Sequence, residues 1–597
     1  MRSVGALSLI LLCAALAQEA MAQTGANGNA ESANQSRRDG VITGRVVNDA
    51  GRPVAGAQIF VIKAGVKLDS GRQFSTTDDE GNFSATGLGS GSYRISALVR
   101  GYVAALTESD RDYHRPGENV TINLIRGGVI TGRVTDSYGE PMAGVRVEAI
   151  KVRKLEDGRK YSGFYWGMPT SRRLTDDRGV YRLYGLEPGV YVVGASSNRL
   201  GLNRGLYAGR ESITWHPSSP RATAVEITIR SGEEATGIDI RHREEQCHTI
   251  SGKIIGEADS GSIGEGINIM LTSAGGGQLV GMGGTYGAKG FVVSGIPDGE
   301  YEIVAFRASY KESNFASSIP RRVVVKGADV MGIELRITPP ASISGRVRIE
   351  SSFAMKNPCE DGTEAKNRAA IGDVLLSAAP ENESRPSIES IAPYFSYMND
   401  VMGGAPDEKG AFTLSGLTAG RFRIKADLPD DSWYIHAITQ SASGATKKPV
   451  DASRNGIAVR TGEKLSGVEV VIAEGAASLN GRVVPANEGS GLPSRLRVHL
   501  IPAEVSTADD VLRYAETTVR GDGSFEFKHI APGKYLLHTR QAPEKEANDD
   551  QARPLAWDAA ERMKLRREAE ASKNEIELKV CGRVKDHKLI HESGRRH

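Results

Sequence analysis

Apolar and polar residues alternate with period two along most of the chain, in short runs broken by Gly, Pro, Asp and Asn. That is the pattern of half-buried strands joined by tight turns. One alternating run occurs five times: Ile42-Thr43-Gly44-Arg45-Val46, Ile130-Thr131-Gly132-Arg133-Val134, Ile250-Ser251-Gly252-Lys253-Ile254, Ile343-Ser344-Gly345-Arg346-Val347 and Leu479-Asn480-Gly481-Arg482-Val483. The first, third and fifth residues of a strand share a face. Ile42, Gly44 and Val46 are therefore expected inward, and Thr43 and Arg45 outward. An inward Gly leaves a notch for a large side chain or a passing backbone.

Each copy opens a repeat, and the repeats fix the reading of the fold. The ranges are 39–127, 128–246, 247–340, 341–476 and 477–597. Two turns recur inside them. Asp78-Asp79-Glu80-Gly81 precedes Phe83, and the Gly87-to-Ser92 turn leads into Tyr93. Six residues separate the turn glycine from the start of the next turn: Gly81 to Gly87, Gly179 to Gly185, Gly410 to Gly416 and, with His in place of Gly, Gly523 to His529. Six residues hold one short strand, so the two turns bracket one strand of a hairpin. One stretch departs from period two. Trp557 to Lys573 is rich in Ala, Glu, Arg and Leu, with Trp557, Ala560, Lys564, Leu565 and Ala569 near helical spacing and Pro554 just before, which predicts a helix. Ile576 to Val580 then reads as the strand that completes the fifth repeat, and the basic residues to His597 as a frayed tail.

Composition narrows this. A length of 597 residues exceeds one core, at roughly 150 residues per domain. The charges nearly cancel, 75 basic against 73 acidic, without the basic stripe of a nucleic-acid binder. Arg2, the apolar run from Val4 to Ala17 and Ala20-Met21-Ala22 have the form of an export signal, with cleavage expected between Ala22 and Gln23. The run is shorter than the ~20 residues of a membrane span, and no other long apolar run follows. Residues 23–38 read as a flexible leader. Cys247, Cys359 and Cys581 remain in the mature chain; an oxidising compartment permits one disulfide among them, and the sequence leaves all three pairs open.

The combination of I-T-G-R-V, G-x-P-x-x-G-A (Gly51 to Ala57), D-x-x-G-x-F (Asp78 to Phe83) and G-L-x-P-G-x-Y (Gly185 to Tyr191) resembles the carboxypeptidase regulatory-like domain. The resemblance implies an all-β protein of five tandem antiparallel transthyretin-like (Ig-like) sandwiches, with the one helix inserted in the last. In metallocarboxypeptidases this module is an accessory to a separate zinc domain, so the resemblance implies no peptidase activity. The wider fold group includes carbohydrate-binding modules.

Candidate chemistry is sparse. His242-Arg243-Glu244-Glu245 matches H-x-x-E, with His248 nearby, but lies at a junction of two all-β repeats, without the scaffold that holds a catalytic zinc open. The paired acids at 78–79, 176–177 and 407–408 fall short of calcium's six to eight oxygens, and Asp is a favoured turn residue. No catalytic residue, metal ligand or cofactor is expected. Exposed aromatic rings are the platforms on which sugar C–H faces bury. Tyr161, Phe164, Tyr165 and Trp166 crowd an insertion of repeat two. Tyr394, Phe395 and Tyr397 do the same in repeat four, where Trp433 and Tyr434 join them; the other reading of these rings is that they cap the sandwich or pack against a neighbouring repeat. The expectation is a non-enzymatic, exported binding or scaffolding protein, periplasmic, surface-bound or secreted, whose partner is a glycan or an envelope protein.

Overall fold

A computed structural model describes residues 40–64, 72–105, 113–154, 160–162, 172–196, 213–220, 223–243, 246–256, 267–274, 279–286, 290–309, 314–350, 359, 369–381, 404–441, 448–486, 491–493, 495–542 and 554–591. The protein is all-β, its sheets mostly antiparallel, and the pentapeptide strand lies inside a sheet in every repeat. In repeat one, Gly40–Asn48 pairs antiparallel with Asn82–Leu88 and parallel with Asn119–Arg126. The same two partnerships recur for His248–Ile255, Ala341–Glu350 and Ala477–Pro485. In repeat two the parallel partner is broken into Glu234–Ala235 and Ile240–Arg241. Opening and closing strands thus run the same way in each repeat, so the chain enters at one end of a sheet and leaves at the other. The next repeat starts almost at once. Only Gly127 separates Asn119–Arg126 from Gly128–Thr135, and only Gly475 and Ala476 separate Lys464–Glu474 from Ala477–Pro485.

Outside repeat three, a second sheet faces the one that holds the opening strand. In repeat one Gln58–Lys63 pairs with Tyr93–Leu98 and Arg72–Thr76. The two inner faces meet in separate cores, one per repeat. Ile42 and Val46 are buried and Thr43 and Arg45 exposed, as alternation requires. The notch at the central glycine is filled by both of the candidates the sequence offered. A Cβ on Gly481 would lie 2.5 Å from the His587 carbonyl oxygen of the parallel strand and 2.5 Å from the Phe525 ring. Phe83 and the Val120 carbonyl close on Gly44 in the same way, and Phe412 and the Val468 carbonyl on Gly345. In repeats one, four and five the repeated Gly and the aromatic of the D-x-x-G-x-F turn are therefore one packing unit, joined across the antiparallel pair.

Repeat three departs from two separate sheets. Ile267–Ser273 pairs with both Leu279–Tyr286 and Gly299–Ser309, which closes its strands into a ring. Leu279–Tyr286 turns the corner through glycines: a Cβ on Gly283 would meet the Val293 side chain at 2.8 Å, and one on Gly281 the Ile296 side chain at 2.9 Å. Glycine at such corners permits the close approach that closure needs.

The helix of repeat five spans Ala559–Ser572, capped by Asp558, whose carboxylate accepts from the amides of Ala560 and Glu561. It buries Arg562, Leu565 and Ala569, while Ala560 and Lys564 face water. Arg562 turns in between them, its guanidinium donating to the Ala556 carbonyl at 2.6 Å. Glu575–Leu578 pairs at the edge of the second sheet, stops short of the expected Val580 and does not close the repeat. The expected frayed tail is instead, over Arg583–His591, the closing strand of the repeat. Among the described residues no helix is long and apolar enough to cross a membrane.

Candidate functional site

The repeated polar residues are occupied locally. Asp176 Oδ1 accepts from the amides of Arg178 and Val180 at 3.0 and 2.7 Å, and Asp407 Oδ1 from those of Lys409 and Ala411 at 2.9 and 2.8 Å. These are the hydrogen bonds of Asx-type turns. The tyrosine ending the second turn returns its hydroxyl to the carbonyl four residues back: Tyr93 to Gly89, Tyr191 to Glu187, Tyr301 to Pro297 and Tyr535 to Ala531, at 2.6–2.9 Å. Burial pushes the Tyr535 phenol up to about 12. Repeat four has Phe422 at this place and forgoes the bond.

His242 and His248 do not converge on a shared ligand position. His242, at the end of Ile240–Arg241, meets Thr214 Oγ1 at 3.1 Å. His248 is buried with Asp298 Oδ1 3.2 Å from Nε2 and Asp329 Oδ1 3.9 Å from Nδ1. Glu244 and Glu245 lie outside the described residues. Among the described residues no cluster of three His, Cys, Asp or Glu is placed to hold a metal ion.

Of the aromatic candidates, Tyr161 lies on Lys160–Ser162, opposite Arg153; Phe164, Tyr165, Trp166, Tyr394, Phe395 and Tyr397 lie outside the described residues. Trp433 is not an exposed platform. It is 2 % exposed and packs in the core of repeat four with Ile438, Val470 and Ile472. Adjacent residues of a strand point to opposite faces, so the pair cannot both be displayed. Tyr434 takes the other face and is half-buried, 6.3 Å from the His436 ring and edge-on to it. Burial raises its phenol, against a lowering from nearby Arg513 of repeat five.

That last contact belongs to a seam between repeats four and five that sequence reasoning missed. Arg423, 4 % exposed, donates to Glu381 at 2.7 Å and to the carbonyls of Ser453 and Arg454. Its guanidinium and the Lys425 ammonium each lie 5.4 Å from the Trp557 ring of repeat five. Leu512 packs on the repeat-four core, Arg454 pairs with Asp509 at 3.1 Å, and His529 Nδ1 donates to the Trp433 carbonyl at 3.0 Å. Cys359 and Cys581 form a disulfide across 222 residues, with Cys247 left outside it. The Cys581 amide also donates to the Gly475 carbonyl of the linker at 3.1 Å. A further contact joins distant repeats: Ser92 Oγ donates to the Asp373 carbonyl at 2.8 Å.

Residues 41–124 match the carboxypeptidase regulatory-like domain. No curated protein matches the chain. Solved structures similar to it include the TIE protein of Bacillus anthracis, 14 % identical over 50 % of this chain with a TM-score of 0.13. The chain covers 51 % of that protein. The minor pilin of Streptococcus agalactiae is 14 % identical over 38 % of this chain and 100 % of its own, with a TM-score of 0.19. The full-length major pilin SpaD of Corynebacterium diphtheriae is 10 % identical over 50 % of this chain and 97 % of its own, with a TM-score of 0.13. TM-scores this low transfer no property of those proteins to this one.

Proposed function

We propose that this array, whose first unit is a carboxypeptidase regulatory-like domain, is a non-enzymatic exported protein with a binding or scaffolding role at the bacterial cell envelope. One observation carries the reading: the residues the repeats share are spent on the sandwich itself. The aspartates hold turns, the tyrosine hydroxyls hold the next turn, and the glycines admit an aromatic ring and a carbonyl. Recognition is then left to what differs between repeats, chiefly the insertions. The Cys359–Cys581 disulfide supports an oxidising compartment, in keeping with the export signal whose cleavage is expected between Ala22 and Gln23. The finer contact is a glycan held on the aromatic insertion of repeat two, with Tyr161, Phe164, Tyr165 and Trp166 as its rings. Its basis is the strand Arg146–Lys154, which pairs with Lys160–Ser162 and so carries the insertion from a core strand.

Affinity capture from envelope extract with residues 23–597 tests the general reading, which predicts a saturable envelope partner; recovery of none overturns it. A glycan array with the same protein tests the finer one. Binding should be lost in Trp166→Ala, and an array without a hit discards the glycan while leaving a protein partner in place.

A further inference from the structure

In repeats one and four the segment after the second hairpin strand crosses to the opening-strand sheet and pairs antiparallel with the closing strand, as Tyr102–Ala104 and Trp433–Gln440 do; Asn314–Ser318 makes the same pairing within the one closed sheet of repeat three. Repeat five spends the corresponding part of the chain on a helix. Ala559–Ser572 lies on the outer face of the other sheet, where Ala569 packs on Ile501 and Leu536. Three cross-strand pairs line that face between Leu496–Pro502 and Gly533–Gln541: Ile501 with Leu536, His499 with His538, and Arg497 with Arg540. The helix therefore lies on the face that carries two imidazoles directly opposite one another. His499 is 3 % exposed.

Charged groups of three strands and of the helix face this pair among the described residues. Glu516, on Ala515–Thr518, stands 3.4 Å from His499 and is shared with Arg497 at 3.7 Å. From the helix, Glu568 approaches His538 at 3.5 Å, while Glu561 is engaged by Arg540 at 3.1 Å. Ser572 Oγ lies 3.5 Å from His538 Nδ1. His591, on the closing strand, is held by Thr539 Oγ1 at 2.9 Å. Two arginines flank the imidazoles, and the nearest carboxylates already serve those arginines or stand at the rim. Burial is the first cause lowering both histidines, with His538, Arg540 and Arg497 adding to it at His499, which falls to about 3. At His538 the attraction of Glu568 is outweighed by burial together with Arg540 and His591.

We propose that the helix Ala559–Ser572 is an acid-releasable clasp: it holds the outer sheet of repeat five while His499 and His538 are neutral and lifts off when they take up protons. A histidine held below its exposed value near 6.5 stabilises the closed form at and above that pH. The contribution is lost as pH falls from there toward the folded value, because only the opened form binds the proton. Trp557 stands one residue before the helix cap and beneath Arg423 and Lys425 of repeat four. Release of the clasp therefore also loosens the seam, and the Cys359–Cys581 disulfide keeps the two repeats tethered.

Hydrogen exchange on the full chain, with rates corrected for the pH dependence of intrinsic exchange, reads the clasp directly. Between pH 7 and pH 5 the amides of 563–572 should lose protection by up to about 30-fold per imidazole, 1.5 pH units below the exposed value. The opening strands of the other repeats should keep theirs. Fluorescence assigned to Trp557 by difference from Trp557→Phe should shift over the same range. In His499→Gln/His538→Gln the helix should hold its protection at pH 5. Should that variant fail to fold, NMR titration of the wild-type imidazoles decides: their protonation must coincide with loss of helix protection. Imidazoles that protonate under an intact helix, or a helix still fully protected at pH 5, overturn the proposal.

Discussion

At the scale of single residues, the chain repeats a small set of close fits. The opening-strand glycine admits no Cβ because a carbonyl and an aromatic ring both stand where it would go. Gly481→Ala should cost on the order of 1–3 kcal/mol, the usual range for overpacking, read as a lowered urea midpoint for repeats four and five with an unchanged slope. The tyrosine–carbonyl bond predicts less. Tyr535→Phe removes one hydrogen bond, keeps the ring, and should cost about 1 kcal/mol; Phe422 shows that the fold tolerates the exchange. The turn aspartates are satisfied by their own amides, so millimolar calcium should leave the melting temperature unmoved, as calorimetry in calcium and in chelator would report. Much of this was legible. The inward glycine, its need for a filler and the Asp turns all follow from alternation and turn chemistry. The tyrosine bonds were not, because nothing in G-x-Y tells which carbonyl a hydroxyl will meet. Of the two readings of the rings, Trp433 takes packing: the pair Trp433-Tyr434 looks like a cluster as a string, and the strand sends its rings to opposite faces.

Elements show where alternation stops being readable. Each opening strand displays one apolar face and was found at once. The closing strand Arg583–His591 reads as a tail in the sequence, and its geometry says why. Leu479 pairs with Val584 and Gly481 with His587, so Lys585 and Asp586 together face one partner residue, and Asp586 takes a positive φ of 56°. This bulge breaks the period between Val584 and Leu589 and leaves Arg583, Lys585, Asp586 and Lys588 to dominate the composition. The helix was visible through its helix-forming residues, but its inward face was not, since burying Arg562 runs against any hydrophobic stripe. Asp558 fixes its start by two backbone hydrogen bonds. Asp558→Ala should therefore cost about 1 kcal/mol and show as faster exchange confined to the first turn. The glycines of Leu279–Tyr286 mark a corner of the closed ring in repeat three, a use that depends on strands far apart in sequence.

For the whole molecule, the seam between repeats four and five makes them a joint unit. Reducing Cys359–Cys581, or replacing both with Ser, should lower the stability of this pair alone. Loop-closure entropy for so long a loop sets an upper bound on the order of 5 kcal/mol, and the folded units inside the loop reduce it. Calorimetry should show the transition of repeats four and five moving down while those of repeats one to three stay. The bond from Ser92 to the Asp373 carbonyl brings repeat one against repeat four. Neither pairing was accessible from the sequence, which lists three cysteines and no distances between repeats. The parallel pairing of first and last strands has a mechanical consequence. A chain pulled by its ends would load that pair in shear, so its hydrogen bonds must fail together and not one after another. Four repeats present such a clamp as a continuous strand; in repeat two it is split into Glu234–Ala235 and Ile240–Arg241. Under tension repeat two should yield first, and the slack it releases would spare its neighbours.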